Sequence, residues 1–174
     1  MTPNPPAPPR ALQGTAAQRQ RQLTNPWQLR LFMLTKLPLA LIAGLRVHRL
    51  DAQTSVTSVP YRWLTTNPFR STYFAAQAMA AELATGILPT LAVEAAKPDR
   101  VAMLIVGMEA QFVKKATGRT FFTCDMGDAF FAAVERACTT GEAQTVAAET
   151  IGRDADGNEI SRFTFTWSFK KRTR

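Results

Sequence analysis

The chain has 174 residues, of which 46% are apolar, 9% aromatic and 20% charged, a balance that excludes an intrinsically disordered, collagenous or disulfide-scaffold protein. The formal net charge of +8 gathers at the ends, in Arg10, Arg19 and Arg21 and in Lys170, Lys171, Arg172 and Arg174, so the body is close to neutral and a nucleic-acid-binding domain is not expected. Basic ends read as solvated charge, with steering of an anionic ligand or weak contact with an anionic membrane surface as the second reading.

The two cysteines, Cys124 and Cys138, are too few for a disulfide framework or a tetrahedral zinc site and read as packing residues in a reducing, cytoplasmic compartment. No metal and no cofactor are expected.

Residues 1–22 hold five of the eleven prolines and no apolar period, which predicts a disordered, dispensable tail. Residues 23–170 form a single domain, and 171–174 a basic C-terminal tail. Asn25-Pro26 is a helix start, with Asn as cap and Pro at the first helical position. This helix runs toward Ala43 and covers a sheet, or lies in a membrane interface with Trp27, Arg30 and Lys36 at headgroup level. Its apolar run is too short to cross a bilayer.

Leu45–Asp51 and Thr54–Trp63 read as two strands. From Ser71 to Leu88 the sequence is apolar nearly all round, which predicts a buried helix. Strands follow over Arg100–Val113, Arg119–Cys124, Ala143–Ile151 and Glu159–Phe169, the last with Phe163, Phe165, Trp167 and Phe169 on alternate positions. A helix from Asp128 to Cys138, capped by Asp128 and ended by Gly141, interrupts them. Asp154, Asp156, Gly157 and Asn158 close a hairpin, because Phe165 stands where a calcium loop needs Glu.

Glu82 is the only charged residue between Arg70 and Glu94. A carboxylate among small and apolar neighbours must be offset by hydrogen bonds, water or a raised pKa. It is either a reactive group or a structural one satisfied by a backbone amide or a buried arginine. His48, the sole histidine, reads as a packing or surface residue, and Lys114, Lys115 and Arg119 as a basic turn that is solvated or touches phosphate.

The runs NPWQLRLFMLTKLPLALIAGL and VPYRWLTTNPFRSTYFAAQAMAAELATG resemble a little-characterised bacterial branch of the hotdog-fold thioesterase superfamily, over residues 25–170. The resemblance implies an α+β fold in which a curved antiparallel sheet of about six strands wraps a long central helix, here with an extra N-terminal helix. It implies hydrolysis of an acyl-CoA or other acyl thioester at a homodimer interface, in a dimer or a tetramer. In such enzymes an Asn or Gln precedes the helix and an Asp or Glu lies fifteen residues later, the separation of Asn67 and Glu82. Glu82 is then nucleophile or general base, Asn67 places the water or the thioester, and the Phe74 amide holds the oxyanion.

Tyr73 and Phe74 replace the glycines of active relatives and are expected to line the acyl site, with Thr85 as a further contact. The lack of a histidine near the helix speaks against dehydratase chemistry. A non-catalytic hotdog module, binding an acyl chain or only dimerising, is the alternative.

Overall fold

Alternation in the last strand dictates its placement. Phe163, Phe165, Trp167 and Phe169 are all buried, while the residues between them stay half-buried on the other face. The computed structural model describes residues 10–172, in which this strand, β6 (Glu159–Lys171), joins β1 (Arg46–Leu50), β2 (Ser55–Val59), β3 (Val101–Phe112), β4 (Thr120–Cys124) and β5 (Gln144–Arg153). The six strands form one antiparallel sheet in the order β1-β2-β4-β5-β6-β3.

Helix α4 (Phe74–Ala95) leaves β2, crosses the sheet and delivers the chain to β3 at the far edge. This helix is long and apolar enough to cross a membrane, but most of it is buried inside the domain. Its small residues Ala80, Ala81 and Ala84 are fully buried, and the buried hydroxyls of Ser55 and Thr57 donate to the carbonyls of Ala84 and Ala80. Small side chains therefore let β2 approach the helix backbone closely enough for side-chain hydrogen bonds. The result is the wrapped-helix arrangement that the resemblance implies.

Helix α5 (Gly127–Thr140) packs on the other side of the core through Phe130, Phe131 and Val134 and ends at Gly141, whose φ of +74° suits glycine. Asp128 does not cap it as expected. The Asp128 amide instead donates to the side chain of Gln53, a cap supplied from the β1–β2 turn. The Asp154 carboxylate accepts from the amides of Asp156 and Asn158, which makes the last hairpin a plain turn.

Three expectations for the ends need correction. The tail expected to be disordered over residues 1–22 holds most of a helix, α1 (Gly14–Thr24). It docks because Ala16 and Leu23 are buried, Thr15 donates to the Glu94 carbonyl and Gln20 to the Leu50 carbonyl. The proline-rich residues 1–9 lie outside the described residues. The helix expected from Asn25 to Ala43 is two, α2 (Pro26–Lys36) and α3 (Pro38–Ala43), because Pro38 cannot continue the hydrogen-bond ladder. Asn25 caps α2 as expected, accepting from the amides of Trp27 and Gln28. At the other terminus Lys171 belongs to β6 and pairs with Asp99 at 2.9 Å, so it is no tail residue, and residues 173–174 lie outside the described residues.

Candidate active site

Along the α4 face turned away from β2, Ala78, Met79, Glu82 and Thr90 are only half-buried, because α1 and α2 cover this side incompletely. Glu82 lines a cavity of about 130 Å³ whose other walls are mostly apolar: Leu23, Leu29, Phe32 and Leu37 from the N-terminal helices, Leu83 and Ile87 from α4, and Met103 and Trp167 from the sheet, with Thr90, whose hydroxyl donates to the Gly86 carbonyl, as the polar exception. Among the described residues no group pairs with its carboxylate, and burial alone pushes its pKa upward.

Gly86 makes this geometry possible. A Cβ on Gly86 would lie 2.9 Å from the Trp167 ring and 3.1 Å from Glu82 Oε1, so the missing side chain lets the indole and the carboxylate converge one turn apart. Thr85 does not contact this cavity, contrary to expectation. It is fully buried, accepts a hydrogen bond of 3.1 Å from Trp167 Nε1 and donates to the Glu82 carbonyl, so it positions the indole.

The second expected residue stands elsewhere. Asn67 lies before α4, and its Oδ1 accepts from the Phe69 amide at 3.0 Å and from the Ser71 amide and hydroxyl at 3.2 Å. The Asn67 Nδ2 has no hydrogen-bond partner among the described residues. Asn67 lines a separate cavity of about 340 Å³ with Phe74, Gln77, Phe112, Lys114 and Lys115. Glu82 is about 12 Å further along the helix axis than Phe74. One protomer therefore does not bring Asn67 and Glu82 together.

At the start of α4, no side chain caps the helix and no described acceptor engages the Phe74 amide. The first amides of a 22-residue helix form an anion-attracting end. Tyr73 (46% exposed) and Phe74 (52%) form an edge-to-face pair, ring centroids 4.8 Å apart, beside these amides. Phe74 enters the Asn67 cavity, whereas Tyr73 faces outward.

Gln77 escaped sequence reasoning. It is buried, accepts from Ser161 at 2.8 Å and donates to the Thr72 carbonyl at 3.0 Å, fixing the helix start to β6. A polar residue on an all-apolar helix was the available signal. Cys124 is buried and its thiol is pushed up to about 11, far from a reactive thiolate. Cys138 also shifts upward, through burial and the neighbouring Asp99. His48 stands 2.8 Å from Ser58 on β2, remote from the α4 carboxylate cavity.

A curved six-stranded antiparallel sheet around one long helix is the hotdog fold. The chain belongs to the family described as a domain of unknown function, DUF4442, which matches residues 25–169. No curated protein matches it. Among solved structures, it is similar to a Pseudomonas aeruginosa protein of unknown function described as a probable thioesterase, at 16% identity over 87% of this chain and 99% of that one, with a TM-score of 0.71. A Haemophilus influenzae thioesterase is similar at 12% identity over 81% and 88%, with a TM-score of 0.56. A Staphylococcus aureus thioesterase is similar at 16% over 76% and 98%, with a TM-score of 0.59. The staphylococcal protein has been solved as a glutamine-to-alanine and as a glutamate-to-alanine variant, the two positions as far apart in that chain as Asn67 and Glu82 are in this one.

Proposed function

We propose that the protein hydrolyses an acyl-CoA or related acyl thioester, with Glu82 as the reacting carboxylate. The observation that carries this reading is an unpaired carboxylate in the wall of a mostly apolar cavity, held beside Trp167 by the absence of a side chain at Gly86. The apolar lining suits the first few carbons of an acyl group, and a desolvated carboxylate is a stronger base and nucleophile than one in water.

As general base, Glu82 takes a proton from water while the water oxygen bonds the acyl carbon. The C–S bond then breaks and the proton passes to the departing thiolate, giving acid and thiol. As nucleophile, Glu82 bonds the acyl carbon itself, the thiol leaves, and water cleaves the resulting anhydride. The Phe74 amide, unengaged at a positive helix end, is the donor for the developing oxyanion. Asn67 Nδ2 places the water or the thioester carbonyl.

Because Asn67 and Glu82 line separate cavities in one protomer, a complete site takes one of them from each of two protomers. The exposed edge of the sheet supports a homodimer, alone or within a tetramer. Strand β3 is a twelve-residue edge strand, and its Leu104 (67% exposed), Val106 and Met108 are exposed. The cytoplasmic assignment rests on two free cysteines.

The bulky Tyr73–Phe74 pair at the helix start favours the second reading, a module that binds an acyl chain without cleaving it. The test is release of free thiol from a panel of acyl-CoA thioesters by purified protein. Turnover on at least one member supports hydrolysis. Retention of a fluorescent acyl probe with no turnover on any thioester replaces the enzyme with the binding module.

A further inference from the structure

On the other flank of α2 from the Glu82 cavity lies a larger one, about 630 Å³, between α2–α3 and the β1–β2–β4 end of the sheet, and Leu29 lines both. Arg30, Arg46, Arg62, Arg119 and His48 line this cleft, and no Asp or Glu does. None of the four arginines is ion-paired among the described residues.

The positive charges are gathered by the fold. Arg46 stands opposite Ser58 in the β1–β2 register, and the irregularity between Val47 and Arg49 leaves His48 without a partner of its own. Ser58 is fully buried and binds both neighbours, accepting from Arg119 at 3.0 Å with His48 Nε2 at 2.8 Å. The Arg62 guanidinium occupies the place of a side chain at Gly44, where a Cβ would fall 2.8 Å from its central carbon, and it donates to the Ile42 carbonyl. Burial and the neighbouring guanidinium groups of Arg46 and Arg62 hold Arg119 below its ordinary pKa, and burial, Arg119 and Arg46 do the same to His48. Like charges brought together without a counter-charge repel, and an anion with several oxygens relieves that repulsion.

We propose that this cleft is a phosphate-binding site, for a ligand carrying a diphosphate or a phosphomonoester. Guanidinium forks match phosphate oxygens in geometry as well as charge. Two sources carry this chemistry, the nucleotide part of a thioester's carrier and the headgroup of an anionic phospholipid. The first source rests on the thioesterase reading, whereas the phosphate site itself does not.

The experiment is calorimetric titration of the full chain with inorganic pyrophosphate and with adenosine 3′,5′-bisphosphate, beside co-sedimentation with phosphatidic acid and phosphatidylcholine vesicles. Arg46→Gln and Arg119→Gln are compared with wild type, with thermal melts confirming that each is folded. Arg46 is the cleaner probe because its side chain makes no hydrogen bond or ion pair among the described residues. Binding of a soluble phosphate that weakens about tenfold or more in Arg46→Gln, and that falls with added salt, establishes the site and its soluble source. Binding to phosphatidic acid vesicles alone, with the same loss in the variants, establishes it with a lipid source. Failure of both probes to bind wild type, or equal binding by folded variants, overturns the proposal. Phosphate binding without thioester cleavage sinks only the enzyme reading, and cleavage without phosphate binding sinks only this one.

Discussion

Replacing Glu82 by Gln separates a reactive carboxylate from a structural one through its effect on stability. Gln keeps the volume, so no cavity opens, and it cannot ionise. In wild type, burial raises the folded-state pKa of Glu82 above its ordinary value of 4.5. Below that ordinary value the side chain is neutral in both folded and unfolded chains, and wild type and variant should be about equally stable. As pH rises through the raised folded value, the native state must carry a charge it disfavours, and wild type loses stability that the variant keeps.

The difference should therefore grow from near zero to a plateau in the variant's favour. Its size is about 1–2 kcal/mol, the scale of an uncompensated polar group in a protein, reduced because the new amide also lacks a partner. At about 3 °C per kcal/mol for a domain of this size, the variant should melt about 3–6 °C higher at neutral pH. The assay is thermal unfolding of both proteins from about pH 4 to pH 8, where the native fold is expected to persist. A variant less stable at neutral pH, or a difference independent of pH, would refute the reasoning and make Glu82 a partner in a structural network.

Deletion of residues 1–22 should lower the melting temperature by about 4–8 °C, since it removes most of α1 and about 2 kcal/mol of burial and hydrogen bonding, and calorimetry reads this directly. Gly86→Ala should destabilise by about 1–3 kcal/mol in chemical denaturation and depress thioester turnover, because its Cβ displaces Trp167 and Glu82. Mixing Asn67→Ala with Glu82→Gln protomers should restore about one quarter of wild-type turnover, since half of randomly formed dimers then hold one intact site of two. A mixture no more active than its components would count against a site shared between protomers.

Much of the fold was legible because single segments declare it. The alternating aromatics of β6, the all-apolar run of α4, the Asn25-Pro26 start and the Asp154 turn each follow from a local rule, and each stands where that rule puts it. Helix α1 was hidden because composition judged the proline-rich segment as a whole, while its docking depends on little more than Ala16, Leu23 and two side-chain hydrogen bonds. The isolated charge marked Glu82, but nothing local shows that Gly86 clears space for Trp167 eighty-one residues away. Thr85 was misplaced for a related reason: one residue on a helix is a turn of about 100°, enough to carry it from the cavity to the sheet. The arginine cleft draws on α2, β1 and the segments before α4 and β4, and only the folded chain collects them.

The steady-state constants of Glu82→Gln, on whichever acyl thioester the wild type cleaves best, test most directly the claim that this carboxylate performs the chemistry. Loss of a general base or nucleophile should lower kcat by about 1,000-fold or more, with KM changed by no more than a few-fold, because Gln preserves the shape of the cavity. A folded Glu82→Gln protein that turns over the thioester at the wild-type rate would contradict the account.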